Sequence, residues 1–312
     1  MRVVRHLSEG RPPFRSPVVA LGNFDGCHRG HREIVCRAIE SARKRGGEAV
    51  VFTFAPHPVA VLHPERAPPM ILSVAERLRQ LAALGVDGVF LQRFTRSFAS
   101  IEPEDFVGRV LVEALGAESV VVGYDANFGR DRRGTPELLV ELGRSLGLAV
   151  DVVPPVRDGD QIVSSSAIRH AIQAGDMRLA AALLGRPHGV RGRVFRGDRR
   201  GASIGFPTAN LLPRGGLLPP DGVYAVSVGL AGEAEERAGV ANLGCNPTFG
   251  GLRRRLEVHL FDFEGDLYGR TLRVAFRERL RGEIRFATVD ALVEQIRADA
   301  RRARHALARP LP

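Results

Sequence analysis

Apolar positions in the first half of the chain fall into short runs divided by stretches of helical period. Residues 18–22 (VVALG) form one such run, and after a turn at 23–26 a 3.6-residue pattern continues to Lys44, where Gly46 and Gly47 stop it. A second run at 49–54 leads into a proline-rich loop through Pro69, a helix near 73–84 and a strand near 88–92. A helix over 103–115, a strand over 120–123, a helix over 136–146 and a strand over 148–153 complete the alternation. Strands alternating with helices predict an α/β fold with a doubly wound parallel sheet, whose ligands sit at the carboxyl ends of its strands.

Past Ser164, two short helical patterns at 167–174 and 176–184 lead to Gly185, Arg186 and Pro187, and there the texture changes. Strand-like segments follow at 189–195, 223–228, 239–243, 256–263 and 272–276, joined by Gly and Pro turns. They predict an antiparallel β-barrel. A helix over 288–306 closes the chain, with Val289, Leu292, Val293 and Ile296 in one apolar stripe expected to pack on the core. The expected domains are residues 1–184 and 185–312.

Composition narrows the function classes. With 312 residues and 44% hydrophobic content, the chain can bury two ordinary cores. No run approaches the roughly 18 to 20 apolar residues of a membrane span, and the opening MRVVRHLSEGRPPF lacks an apolar signal core, so a cytoplasmic protein without a membrane partner is expected. Cys27, Cys36 and Cys245 are odd in number and show no C-x-x-C spacing, which predicts free thiols. The net charge of +10 invites a nucleic-acid reading. Against it, the arginines are spread along the chain apart from small clusters such as 253–255, and 6% aromatic content without tryptophan leaves few base-stacking platforms.

The candidate chemistry begins where the first strand gives way to the first helix, in G-N-F-D-G-C-H-R-G-H. Backbone N–H groups and the positive end of a helix receive phosphate at such a place. His28 and His31 stand at i and i+3, so both rings can face one spot, and Gly22, Gly26 and Gly30 allow tight turns and close backbone approach. H-x-G-H resembles the signature of the nucleotidylyltransferase superfamily, in which the two histidines contact ATP phosphates. The longer strings T-F-A-P-H-P at 53–58, V-G-Y-D-A-N-F-G-R-D-R-R-G ending at Gly134, and V-S-S-S-A-I-R at 163–169 resemble the prokaryotic bifunctional riboflavin kinase and FAD synthetase family. That resemblance implies an FMN adenylyltransferase half. Its implied catalytic residues are His28 and His31; ATP and its phosphates would be held by Gly22, Phe24, Asp25, Gly30, Ser164, Ser165, Ser166 and Arg169, and flavin by Asp125, Asn127 and Phe128. Read without the family, Ser164 to Ser166 can simply cap the helix that follows. Ala126 stands where family members commonly have phenylalanine.

A second constellation lies in G-D-R-R-G-A-S-I-G-F-P-T-A-N-L at 197–211. Taken alone it is a loop between strands, with Thr208 and Asn210 able to bind metal or phosphate. G-F-P-T-A-N resembles the riboflavin kinase signature, and D-G-V-Y-A-V at 221–226, G-V-A-N-L-G-C-N-P-T-F at 239–249, L-E-V-H-L-F-D-F-E-G-D-L-Y-G at 256–269 and L-R-G-E-I-R-F at 280–286 follow in family order. The resemblance implies that Gly201, Thr208 and Asn210 bind ATP phosphates, that Thr208 and Asn210 also hold Mg2+, that Glu257 is the general base, and that Arg281 and Glu283 contact flavin. As a bare strand residue Glu257 would be unremarkable. Most members carry arginine directly after Gly201, whereas this chain has Ala202, with Arg199 and Arg200 nearby.

The expected activity is ATP-dependent phosphorylation of riboflavin to FMN followed by adenylylation of FMN to FAD, in a monomer or weak homo-oligomer that binds small molecules and no nucleic acid. Two alternatives stand beside it: an adenylyltransferase with an impaired kinase half, and an arginine-rich nucleic-acid-binding protein on a decayed enzyme fold.

Overall fold

The computed structural model of the chain describes residues 1–5, 12–197, 201, 204–233, 235–248 and 251–309, with backbone alone at 245–248 and 251–253. The chain divides into two compact units, Met1–Ser165 and Ser166–Pro312.

The first unit is built on six parallel strands in the order β1-β4-β3-β2-β5-β6. They are β1 (Arg2–Val4), β2 (Val18–Leu21), β3 (Ala49–Ala55), β4 (Gly88–Arg93), β5 (Ser119–Gly123) and β6 (Ala149–Val153). β2 is buried along its whole length, as a central parallel strand covered on both faces must be. The helices are α1 (Arg29–Arg45), α2 (Pro58–Leu62), α3 (Val74–Ala83), α4 (Arg96–Ala99), α5 (Pro103–Asp105) and α6 (Pro136–Leu146). Beyond α5 the chain continues as a π-helix, Phe106–Ala114, which seats Phe106, Val107 and Leu111 in the core. The region expected as a plain proline-rich loop folds into α2 and a 3-10 turn at Pro64–Arg66, because Pro58 and Pro64 sit at first-turn positions that lack an N–H partner anyway. A small hairpin, β7 (Arg157–Asp158) and β8 (Gln161–Ile162), follows β6.

The second unit begins one residue into α7 (Ser165–Ala174), runs through α8 (Met177–Leu184) and continues as a closed antiparallel barrel of order β10-β13-β12-β11-β14-β9. Its strands are β9 (His188–Phe195), β10 (Ala209–Pro213), β11 (Gly222–Leu230), β12 (Glu236–Thr248), β13 (Gly251–Leu260) and β14 (Thr271–Arg281). The last helix, α9 (Val289–Ala308), is capped by Thr288, whose hydroxyl accepts from the Ala291 N–H.

Two expectations are corrected here. The stripe of Val289, Leu292, Val293 and Ile296 is not core: Val289 is 61% exposed and the other three are half-buried. The buried face of α9 lies further along, where Ala300, Ala303, Ala306 and Leu307 pack on Val223, Ala225, Val240, Phe261 and Leu280 of the barrel. Small side chains let the helix approach the sheet, which a plot of large apolar residues does not reveal. The second correction is β10, since Asn210 lies inside a strand rather than in a loop.

Candidate active sites

The strand order places the topological switch at β2, where the chain goes out through β3 and β4 on one side and returns to β5 on the other. The loop 22–28 leaves β2 at this point. Its backbone is strained: φ is +52° at Phe24, +91° at Gly26 and +43° at Cys27. Non-glycine residues in that region cost roughly 1–3 kcal/mol each and persist only where the surroundings over-determine them. The surroundings here do so. The buried Asp25 carboxylate accepts from the Ile71 and Leu72 N–H groups at 3.1 and 3.2 Å, and the Asp25 carbonyl accepts from Ser165 Oγ at 2.9 Å. The Cys27 thiol donates to Phe24 O at 3.4 Å, and Thr53 Oγ1 donates to Asn23 O at 3.0 Å.

His28 ends this loop as the N-cap of α1, its Nδ1 accepting from the His31 N–H at 3.2 Å. Its ring, 6% exposed, stacks on that of His31 with centroids 3.5 Å apart and planes 18° from parallel, and the edge of Phe24 meets His31 at 5.2 Å. A Cβ at Gly30 would stand 3.3 Å from the His28 ring, so the glycine leaves room for the imidazole. The intervening Arg29 points elsewhere: its guanidinium pairs with Asp158 at 2.5 Å and donates to Arg157 O, both on the β7–β8 hairpin. Ser165 and Ser166 form the first turn of α7, with Arg169 three residues beyond Ser166 on the same helix.

Around the ends of β3, β4 and β5 lies an aromatic cluster that the sequence reading missed, apart from Phe128. Phe54 meets Phe94 at 5.5 Å and Phe98 at 6.0 Å, Phe98 meets Phe106 at 6.1 Å, and Phe106 meets Phe128 at 5.6 Å. Phe54, Phe94 and Phe98 are only half-buried and offer ring surface, while Phe128 is buried against Gly134. Asp125 and Asn127 are exposed in the turn after β5, and Asn127 Nδ2 donates to Asp125 O at 2.7 Å. Ala126 packs on the core cluster.

In the barrel, β13 carries Glu257 in register with Asn210 of β10 on one side and Asn242 of β12 on the other. Residues directly opposed across an antiparallel pair share a face, so the three stand in one row. Two glycines back the loop that precedes β10. A Cβ at Gly197 would come within 2.5 Å of Asn210 Nδ2, and one at Gly201 within 2.2 Å of Phe206 O and 3.4 Å of Thr208 Oγ1. His259 Nδ1 donates to Pro207 O at 2.9 Å, and its ring meets Phe206 at 5.4 Å, pinning the residue before Thr208. Ala202, Arg199 and Arg200 lie outside the described residues.

The two expected flavin contacts beside α9 have protein partners. Arg281 donates through Nε to Asp299 at 2.9 Å and lies over the Phe286 ring, while the Glu283 carboxylate lies against the backbone of Gly244. Among the described residues no group of three or more His, Cys, Asp or Glu can hold a metal ion.

Comparison with known proteins matches residues 12–167 to the FAD synthetase family and residues 184–307 to the riboflavin kinase family. Proteins named bifunctional riboflavin kinase/FMN adenylyltransferase align along nearly their whole length. The one from Pseudomonas fluorescens is 42% identical over 311 residues, covering 99% of both chains. Those from Escherichia coli (strain K12) and Bacillus subtilis (strain 168) are 40% and 37% identical, covering 97% and 92% of this chain and 96% and 91% of their own. A crystal structure described as a macrolide-efflux protein from Streptococcus pneumoniae is 37% identical with a TM-score of 0.87, covering 97% of this chain and 99% of that one. Among the described residues no helix is long and apolar enough to cross a membrane.

Proposed function

This chain belongs to the bifunctional riboflavin kinase/FMN adenylyltransferase family, making FMN from riboflavin and FAD from FMN, and we propose from that premise which residues run each step. The boundary between the two catalytic modules is placed at residues 184/185, in keeping with the limits of the two family matches at 167 and 184.

Adenylyl transfer is assigned to the end of β2. An FMN phosphate oxygen attacks the α-phosphorus of ATP, the bond to the β-phosphate oxygen breaks, and pyrophosphate leaves. The stacked His28 and His31 at the positive end of α1 stabilise the charge that develops there, and this pair is the observation that carries the assignment. Gly22, Phe24, Asp25 and Gly30 act by shaping the loop, Asp25 through its hold on Ile71 and Leu72. Ser164, Ser166 and Arg169 supply hydroxyl donors and a guanidinium to ATP phosphates, while Ser165, whose hydroxyl donates to Asp25 O, holds the start of α7 against the loop. The half-buried phenylalanines at the strand ends, with Asp125, Asn127 and Phe128, take the flavin ring.

Phosphoryl transfer is assigned to the row on β10 and β13. Glu257 accepts the proton of riboflavin's terminal ribityl hydroxyl as that oxygen attacks the γ-phosphorus, and ADP leaves. Thr208 Oγ1 and Asn210 Oδ1 are hard oxygen donors two positions apart and backed by glycine, a set that fits Mg2+ sharing its shell with ATP phosphates and water. When bound, that ion neutralises phosphate charge. Gly201 turns the loop so that Thr208 faces the nucleotide, and Arg281 and Glu283 line the flavin side. The enzyme is read as cytoplasmic, a monomer or weak homo-oligomer without a nucleic-acid partner. Support comes from its arginines, many of which are held in ion pairs, among them Arg237 and Arg270 with Glu233 and Arg304 with Asp262.

Chromatography of flavins formed by single variants tests the assignment. His28→Ala is expected to abolish FAD formation while FMN still forms from riboflavin, and Glu257→Ala to abolish FMN formation while FAD still forms from supplied FMN. A folded variant of either kind that loses both activities would overturn the two-site assignment.

A further inference from the structure

Arg77 is a buried charge of the first unit that neither reaction explains. It lies on α3, 1% exposed, and its amino groups donate to Asn23 O at 2.6 Å and Phe54 O at 2.7 Å. Its Nε is buried with no hydrogen-bond partner among the described residues. Burial pushes the guanidinium below its ordinary pKa, with Cys27 and Asp25 opposing the shift through space. Its printed hydrogen bonds go to neutral carbonyl oxygens, and burying a guanidinium on such partners costs more than an apolar side chain of similar size would, so packing alone is a poor reason for it.

Its two acceptors point to another reason. Asn23 O stands at the exit of β2, one residue before the strained run that ends in His28, and Phe54 O stands near the end of the adjacent β3. A carbonyl oxygen left outside the ladder at a strand exit repels a polyphosphate arriving there. A planar fork that spans two carbonyls answers both problems at once: it fixes the spacing of the two strand exits, and it places a positive charge beneath the loop, against Phe54 O and against Asn23 O, which Thr53 Oγ1 also meets. Asp25 holds the same loop from residues 71 and 72, immediately ahead of α3, and the Cys27 thiol reaches Arg77 O at 3.9 Å, so loop and helix are fastened to each other through several residues.

We propose that Arg77 is a positioning residue for adenylyl transfer, a buried clamp that holds the β2 loop in its strained form and sets the geometry in which His28 and His31 meet the nucleoside triphosphate. The inference rests on the assignment of that loop to ATP. It acts through the loop and touches no substrate, and it leaves riboflavin phosphorylation untouched.

The test is steady-state kinetics of both activities in full-length Arg77→Met and Arg77→Lys, with thermal unfolding recorded for each. Misplacement of a reacting group by about 1 Å costs on the order of 10²-fold. Arg77→Met is therefore expected to lower kcat for FMN to FAD by about 10²-fold and to raise KM for ATP in that reaction, with riboflavin to FMN within about twofold of the parent. Arg77→Lys keeps the charge without the planar fork and is expected to recover part of the loss, with KM for ATP still raised. A loss of FAD synthesis that only follows the folded fraction, with KM for ATP unchanged, would overturn the proposal. If the methionine variant does not fold, the lysine variant decides, and parental kinetics in it would overturn the clamp. His28→Ala assayed in parallel separates the two claims: with FAD synthesis lost there, an unaffected Arg77 variant counts against the clamp alone.

Discussion

Gly197 shows how tightly single residues are specified around the kinase loop. The position its Cβ would occupy lies 2.5 Å from Asn210 Nδ2, so an added methyl group must displace the amide. Gly197→Ala is expected to lower riboflavin phosphorylation at least about tenfold, with FAD formation from FMN unchanged, and parental kinase kinetics would contradict the placement of Asn210 at the site. Residues of this kind differ in how legible they are from sequence. His28 and His31 stand out because their partners are each other, three positions apart. Arg77 does not, because its acceptors lie 54 and 23 residues away and its helix presents Leu78 and Leu81 as the obvious apolar positions. The phenylalanine cluster is hidden for the same reason, as its members come from β3, α4, the π-helix and two loops that only the sheet brings together.

Among the elements, α9 and β10 depart most from expectation, and both departures have physical causes. β10 has five residues, ends at Pro213, and owes its existence to pairing with β9 and β13, which no local pattern encodes. α9 is fastened to β14 by Arg281 and Asp299, the latter 2% exposed, with Gln295 donating to the second carboxylate oxygen. Asp299→Ala leaves Arg281 largely buried without its partner and is expected to destabilise the second unit by about 3–5 kcal/mol, measured by denaturant unfolding. An unchanged midpoint would show that the pair does not hold the helix. β11 carries a further test in Tyr224, which is fully buried and donates to Pro220 O at 2.5 Å. Burial pushes its phenol above the ordinary value, with Arg279 and Arg254 pulling it back. An acid whose folded pKa lies above its unfolded value of about 10 adds stability below that pH and loses it as pH rises through the folded value. Unfolding followed between pH 9 and 11 should thus show a decline that is smaller in Tyr224→Phe, and equal declines would contradict it.

At the scale of the whole molecule, the alternation of strands and helices followed by strands alone was legible because each half obeys one periodicity. The parallel sheet and the closed barrel both follow from it. What the pattern does not carry is the division of the chain at Ser165 and Ser166, since α7 and α8 share the helical period of the first half and the texture changes only after Gly185. On the proposed assignment the chemistry follows the two halves: one reaction at the end of β2, the other on β10 and β13, with FMN the product of one and the substrate of the other. The measurement that tests this most directly is complementation in solution, with riboflavin, ATP and Mg2+ supplied to His28→Ala, to Glu257→Ala and to an equal mixture of the two. The account predicts FMN alone from the first, no new flavin from the second, and FAD from the mixture. A mixture that makes no FAD, or either variant making FAD from riboflavin by itself, would contradict two separate sites joined by released FMN.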